Sequence, residues 1–339
     1  MAAEPKLSAS LIVRDEQSML PDCLASLAGV VDMIYVYDTG SSDATIDIAR
    51  SAGAVVTTGL WTDDFAAARN AALTGWSADW VLWIDADERL TTDTAALRRC
   101  LTTTPADVIL VDIDNPEDGG VVSHSSIRLF RPTAARWSGI VHEQLVAQAG
   151  SLRSYSAPRT LATVEHVGYS DPEVTRAKCE RNTLLAQKSL DALIASGSTP
   201  ATVAPALLDL GRSLIGAGRK QDAVDTFELA REMFPGTLQW NQATDLLCRL
   251  LIDSGMNKTA LELSDQLRGA GFQLGYCDWL AANALAHGGF YELSAVLLQS
   301  VDHIVDTFGV RTSDDALRAL TDQVDRKRRA TSPGSALEL

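Results

Sequence analysis

Trp80-Val-Leu-Trp-Ile-Asp-Ala-Asp-Glu88 is the stretch on which the reading of the fold turns. A largely apolar run leads straight into three carboxylates, Asp85, Asp87 and Glu88. The run has the length of a strand buried on both faces, as in a parallel sheet. Carboxylates at the C-terminal end of such a strand lie on the rim where open α/β sheets bind ligands. Asp85 and Asp87 are two apart, so on a continuing strand both would point to one face. Like charges held that close repel unless a cation or a proton sits between them. One reading is a divalent metal carrying a diphosphate, because hard cations take oxygen ligands. The other is an acidic turn that ends the strand, since Asp is common at turns. Glu88 is expected to be a helper or a helix-start residue.

Upstream, the pattern repeats. Leu7 to Val13 is an apolar strand followed by Arg14-Asp15-Glu16, then a helical stripe of Met19, Leu20, Leu24 and Leu27. Met33 to Tyr37 is a second strand running into Asp38-Thr39-Gly40-Ser41-Ser42-Asp43, a turn and helix start in which Ser42 or Asp43 can cap. Ala54 to Thr57 reads as a third strand, and Asp63 or Asp64 caps a helix holding Phe65, Arg69, Asn70 and Leu73. With Trp80 to Ile84, strand and helix signals alternate as in a parallel sheet with covering helices. Neither Gly-x-Gly-x-x-Gly after the first strand nor Gly-x-x-x-x-Gly-Lys-Ser/Thr occurs, which argues against dinucleotide and P-loop folds.

Composition narrows the class. The chain has 339 residues, enough for two domains, with 46 % hydrophobic and 22 % charged residues. A net charge of -15 disfavours broad binding to nucleic acid, which needs clustered Lys and Arg. No signal-peptide pattern or membrane-length apolar run is found. The five cysteines are scattered, as expected of reduced, buried thiols in a cytoplasmic protein.

Four segments in order carry a resemblance: Leu7-Ser-Ala-Ser-Leu-Ile-Val-Arg-Asp-Glu16, Tyr35-Val-Tyr-Asp-Thr-Gly-Ser-Ser-Asp43, Asp64-Phe-Ala-Ala-Ala-Arg-Asn70 and Asp85-Ala-Asp87. Together they resemble the motifs of family-2 glycosyltransferases. The resemblance implies a GT-A nucleotide-sugar-binding sandwich of α/β class. It implies Val13 and Arg14 at the base pocket, Asp38 on the base, and Glu16 near the base or ribose. Arg69 would approach the nucleotide or its phosphates, Asp85 would lie near the ribose and metal, and Asp87 would ligate Mn2+ or Mg2+. Asp15 stands where Asn is common in the family, which weakens any role at that position.

Farther on, strands are expected at Asp107 to Ile113 and Ser126 to Arg131, with Asn115 to Gly120 as a polar loop between them. Trp137-Ser-Gly-Ile-Val-His142-Glu143 sets a His beside a Glu, a pair suited to general acid/base work or to plain solvent exposure. The segment is similar to one in glycosyltransferases that carry tetratricopeptide repeats. On that likeness Glu143 is the preferred general base and His142 the runner-up. His166 ends a short apolar strand, and by analogy with the late His of many GT-A enzymes it would complete the metal site. His124, His287 and His303 are read as structural.

The expected organisation is a GT-A domain over 1–170, a connecting helix over 171–200 and an all-α repeat domain over 201–330. Leu210-Gly211, Leu214, Ala223, Phe227, Ala230 and Pro235 match the tetratricopeptide pattern, and Gly218, Gly255 and Gly288 align three copies. A single helix pair cannot bury its own apolar face, so repeats stack. The expected function is an inverting, metal-assisted transfer of sugar from a nucleotide-diphospho-sugar donor to a peptide, protein or small-molecule acceptor. The repeats could instead serve homodimerisation. The rival class is a non-catalytic nucleotide-sugar-binding adaptor on a repeat scaffold.

Overall fold

In the computed structural model the apolar runs form strands at the expected places. Residues 4–117, 120–168, 172–309 and 314–331 are described. Strand β1 (Leu7–Val13) is the centre of the parallel half. It pairs with β2 (Met33–Asp38) on one side and β4 (Trp80–Trp83) on the other, and β3 (Val55–Thr58) follows β2. Both alternating sets of β1 are covered, Leu7, Ala9 and Leu11 as well as Ser8 and Ser10, which is why its sequence reads as a continuous run. Helix α1 (Leu20–Leu27) buries Leu20, Leu24 and Leu27 of the expected stripe together with Cys23, while Met19 stands at its N-cap. Helices α2 (Thr45–Ser51) and α3 (Phe65–Ala72) complete the alternation, the latter capped by Asp64, whose carboxylate accepts from Ala67 N at 2.8 Å.

The chain then leaves the parallel pattern. Strand β5 (Glu88–Thr92) is followed by α4 (Thr94–Thr103), β6 (Val108–Glu117), β7 (Gly120–Phe130), a separate ribbon of β8 (Ala135–Ser138) and β9 (Gln144–Ala147), β10 (Ser154–Ser156) and β11 (Ala162–His166). The main sheet runs β3-β2-β1-β4-β7-β6-β11-β5, with β10 also on β6. Pairing is parallel from β3 to β4, antiparallel across β7, parallel between β6 and β11, and antiparallel between β11 and β5. A parallel half continued by a mixed half is the GT-A arrangement.

Three local expectations are corrected. The strand ends at Trp83, and Asp85 to Glu88 form a turn closed by Glu88 N on Asp85 O at 3.1 Å, so the two aspartates do not share a strand face. Glu88 opens a strand, not a helix. Asn115 to Glu117, expected in a loop, are strand, because Asn115 pairs with Val122, Pro116 with Val121 and Glu117 with Gly120 in a long hairpin; residues 118–119 of the expected loop lie outside the described residues. Proline is tolerated there because the pairing of β6 with β11 involves Asp112 to Asp114, leaving Pro116 on a stretch paired only with β7.

The short turn has a geometric consequence. In strand order β5 lies four steps from β4, about 19 Å across a flat sheet. Only residues 84–87 join the two strands, and they are folded into a turn. The sheet must therefore curl until β5 comes back beneath α1. There Ser26 Oγ accepts from Leu90 N at 3.1 Å and Arg89 donates to Met19 O at 3.0 Å.

The chain divides into two compact units, Met1–Val174 and Thr175–Leu339. The second is helical. Helix α5 (Pro172–Ala195) precedes the pairs α6 (Pro200–Gly216) with α7 (Lys220–Met233), α8 (Leu238–Asp253) with α9 (Asn257–Gly269), and α10 (Leu274–His287) with α11 (Tyr291–Leu298); α12 (Asp314–Thr331) follows. A Cβ on Gly211 would meet the Phe227 ring at 2.3 Å, so the glycine lets α6 and α7 approach. The left-handed turns within pairs fall at Gly218, Gly255 and Gly289, one residue beyond the expected Gly288. They are spaced by roughly the ~34-residue length of a tetratricopeptide unit. Asp171, expected at the domain boundary, lies outside the described residues. Among the described residues no helix is long and apolar enough to cross a membrane.

Candidate functional site

The ends of β1 and β2 lie level, with Val13 opposite Asp38 in the ladder. Beyond them two loops are laced together. Asp15 N donates to Ser41 Oγ at 2.9 Å, Ser42 N donates to Asp15 Oδ1 at 2.7 Å, and Glu16 N donates to Thr45 Oγ1 at 2.7 Å. Asp15 has φ 52°, the left-handed region that Asn and Asp tolerate best among residues with a side chain. That conformation suits Asp15 as it would Asn. Val13 is buried, while the Arg14 side chain is 57 % exposed beside this rim.

Asp38 is buried at the centre of the rim. Its Oδ1 accepts from Gly40 N and Ser41 N, both at 3.0 Å. Its Oδ2 is buried with no hydrogen-bond partner among the described residues. Such an acceptor costs free energy until a donor reaches it.

Helix α3 carries the next group. Asn70 docks the β8–β9 ribbon, donating from Nδ2 to Trp137 O at 3.0 Å and accepting from Trp137 N at 3.1 Å. Phe65 N donates to Ile140 O at 2.9 Å. The ribbon's loop is thereby held against α3, and Glu143 comes to Arg69. Arg69 Nε donates to Glu143 Oε1 at 2.6 Å, and Nη2 reaches Asp85 Oδ1 at 3.1 Å. The guanidinium carbon lies 4.4 Å from the Trp83 ring and 5.0 Å from Trp137. Burial alone would push the Arg69 pKa down, but the charges of Asp85 and Glu143 outweigh it and hold it up. Arg69 is thus a buried strut between two carboxylates from distant segments. In the same loop Gly139 and His142 take positive φ, 103° and 53°. The structure joins Glu143 to the Arg69 cluster and leaves His142 on the turn beside it.

The acidic turn is held from below. Glu88 and Arg128 form a buried bidentate pair at 2.5 and 2.8 Å, and Glu88 Oε2 also accepts from Asp85 N at 2.9 Å. The Arg128 guanidinium lies 3.8 Å from the Trp83 ring. Burial pushes the Glu88 carboxyl up against the opposing pull of Arg128. Cys23 Sγ contacts Asp85 O at 3.3 Å, and burial raises that thiol's pKa strongly. The partnership of Arg128 with Glu88 was missed in the sequence. Its one local signal is an arginine between Ile127 and Leu129 on a strand.

Asp87 meets His166 through sheet register. His166 stands opposite Glu88 in the β5–β11 ladder, and Val167 N donates to Asp87 O at 3.0 Å. His166 Nε2 comes within 3.5 Å of Asp87 Oδ2. Nδ1 of the same ring contacts Asn115 Oδ1 at 2.9 Å. Among the described residues no three His, Cys, Asp or Glu side chains gather as a metal site. One carboxylate and one imidazole suit a divalent cation that draws its other ligands from a diphosphate and water.

Residues 8–153 match the model of the glycosyl transferase family 2. The first unit carries a family 2 glycosyltransferase domain. A TPR repeat-containing protein of Synechococcus elongatus is 41 % identical over 131 residues, covering 38 % of this chain and 32 % of the relative. The SPbeta prophage-derived glycosyltransferase SunS of Bacillus subtilis is 26 % identical over 197 residues, covering 55 % of this chain and 45 % of the relative. The chain thus spans less than half the length of these curated relatives. Among solved structures, glucosyl-3-phosphoglycerate synthase of Mycobacterium tuberculosis, crystallised with Mn2+ and uridine-diphosphate-glucose, is similar at 25 % identity and a TM-score of 0.28, over 33 % of this chain and 44 % of that one. That overlap is local, and the fold assignment of the glycosyltransferase domain rests on its strand order.

Proposed function

We propose that the chain transfers a glycosyl group from a nucleotide-diphospho-sugar to a peptide, protein or small-molecule acceptor, with inversion and with the help of Mn2+ or Mg2+. The observation that carries the donor assignment is the buried, unpartnered Oδ2 of Asp38 at the level of the strand ends. A nucleobase N–H supplies the missing donor, with Val13 and Arg14 beside the base and Glu16 towards the base or ribose. The match to the family 2 model and the SunS likeness support the class of reaction.

Asp85 would sit towards the ribose and diphosphate, held in place by Arg69 and by the Glu88 contact to its backbone N–H. Asp87 and His166 would hold the cation, whose role is to neutralise charge developing on the leaving diphosphate. Glu143 is the proposed base, taking the acceptor's proton as the nucleophile attacks the anomeric carbon from the face opposite the diphosphate; His142 is the alternative base. The Arg69 strut sets the spacing between the donor acid and the base. The same strut supports a second reading. A carboxylate held by Arg69 at 2.6 Å can serve as a structural link alone, as in a nucleotide-sugar-binding adaptor without turnover.

The test is calorimetric titration with UDP-, GDP-, CDP- and ADP-sugars, with and without Mn2+, followed by measurement of nucleoside diphosphate release with candidate acceptors. Binding with release supports transfer, whereas binding without release under every acceptor supports the adaptor. Unchanged binding after Asp38→Ala sinks the donor assignment.

A further inference from the structure

We infer that Asn115 selects the tautomer of His166, so that its Nε2 lone pair faces Asp87 and a divalent cation; the inference rests on the metal-assisted reading above. Three side chains form a line behind the acidic turn. Asn115 Nδ2 contacts His124 Nδ1 at 3.3 Å, and Asn115 Oδ1 contacts His166 Nδ1 at 2.9 Å. At the far end His166 Nε2 lies 3.5 Å from Asp87 Oδ2.

The order of donors along this line is determined by one amide. An amide has a donating end and an accepting end, and a neutral imidazole has one nitrogen of each kind. With Nδ2 on His124, that ring accepts at Nδ1 and carries its proton on Nε2. With Oδ1 on His166, that ring donates from Nδ1, so in the neutral ring Nε2 is left with a lone pair. This is the form that binds a metal, with the opposite ring nitrogen engaged by a hydrogen bond. The reverse amide orientation would place a proton on His166 Nε2, aimed at Asp87, with no lone pair for a cation.

One orientation of the amide satisfies both contacts, with Nδ2 on His124 and Oδ1 on His166. The hairpin supplies the placement, with His124 opposite Ile113 and Asn115 two residues farther along β6. Asn115 is therefore a positioning residue that acts through His166.

The first measurement needs neither metal nor activity. Long-range 1H–15N correlation spectra of the full chain, labelled at histidine and recorded where the rings are neutral, report which nitrogen of each ring is protonated. We expect Nδ1–H on His166 and Nε2–H on His124. Protonation of neutral His166 at Nε2 overturns the inference. The second measurement titrates Mn2+ and reads broadening of the His166 ring signals. Asn115→Leu should move the His166 proton to Nε2 and weaken Mn2+ binding by about 10- to 100-fold. Asn115→Asp, which keeps an acceptor for Nδ1–H, should hold the tautomer and at least the original Mn2+ affinity. An Asn115→Leu protein with unchanged tautomer and unchanged affinity overturns the inference. An original protein with Nδ1–H on His166 but no response to Mn2+, alone or with a nucleoside diphosphate, supports the tautomer assignment and overturns the metal-assisted reading.

Discussion

Replacing Arg128 by Met tests whether the buried pair beneath the acidic turn governs the stability of the first unit. The side chains of Arg128 and Glu88 are 6 % and 4 % exposed, and their contacts are bidentate. Methionine fills much of the same volume but leaves Glu88 with only the Asp85 N–H among the contacts described above. Removing one partner of a buried pair costs about 3–5 kcal/mol. For a unit of this size that lowers the melting temperature by about 10 °C. The pH dependence gives a second, independent reading. Burial already holds the Glu88 pKa above its ordinary value, and loss of the Arg128 charge moves it higher. The folded state then binds a proton that the unfolded state has released, so stability falls as pH rises. The penalty should be small below the ordinary Glu value of about 4.3 and fully developed above the raised folded-state value. Scanning calorimetry at about pH 4 and pH 7.5 should show the two proteins closer together in acid. A loss under about 1 kcal/mol at pH 7.5, or an equal loss at both pH values, would refute the reasoning.

Other expectations follow from single observations. Asp15→Asn should leave stability within about 0.5 kcal/mol, because both residues accept the left-handed φ, whereas Asp15→Val should lower it by about 1–2 kcal/mol in denaturant titrations. Gly211→Ala should cost about 1–3 kcal/mol by overpacking against Phe227, read as a shift in the thermal transition of the helical unit. Asp87→Asn should remove the metal dependence of nucleotide-sugar binding while the circular dichroism spectrum is retained; an undiminished Mn2+ effect would remove Asp87 from the site.

What the sequence made legible was mostly local. Short apolar runs and one 3.6-residue stripe marked β1, β2 and α1 because each element buries residues close to one another in the chain, and Gly211 was visible because its spacing to Phe227 belongs to a repeat. The acidic turn was found as a cluster, but its geometry was not. It depends on β5 pairing with β11 and on Glu88 finding Arg128, contacts between residues far apart in sequence. Asn115 to Glu117 misled for the same reason, since the Pro116 signal was overridden by cross-strand pairing. The candidate residues were found as separate motifs. That Arg69 joins Asp85 to Glu143 became apparent only when α3 was seen to carry the β8–β9 ribbon.

The curl that returns β5 beneath α1 also bears on solubility. A sheet ending in an open strand offers unpaired backbone groups to other chains, and β5 is one end of this sheet. Its Leu90 N–H is answered by Ser26 Oγ, and Arg89 reaches up to the carbonyl of Met19 at the start of the same helix. At the opposite end the sheet stops at β3, only four residues long, too short to template much pairing. The helix that supports the acidic turn thus also guards a sheet edge, and a lesion in α1 would be expected to show itself first as self-association.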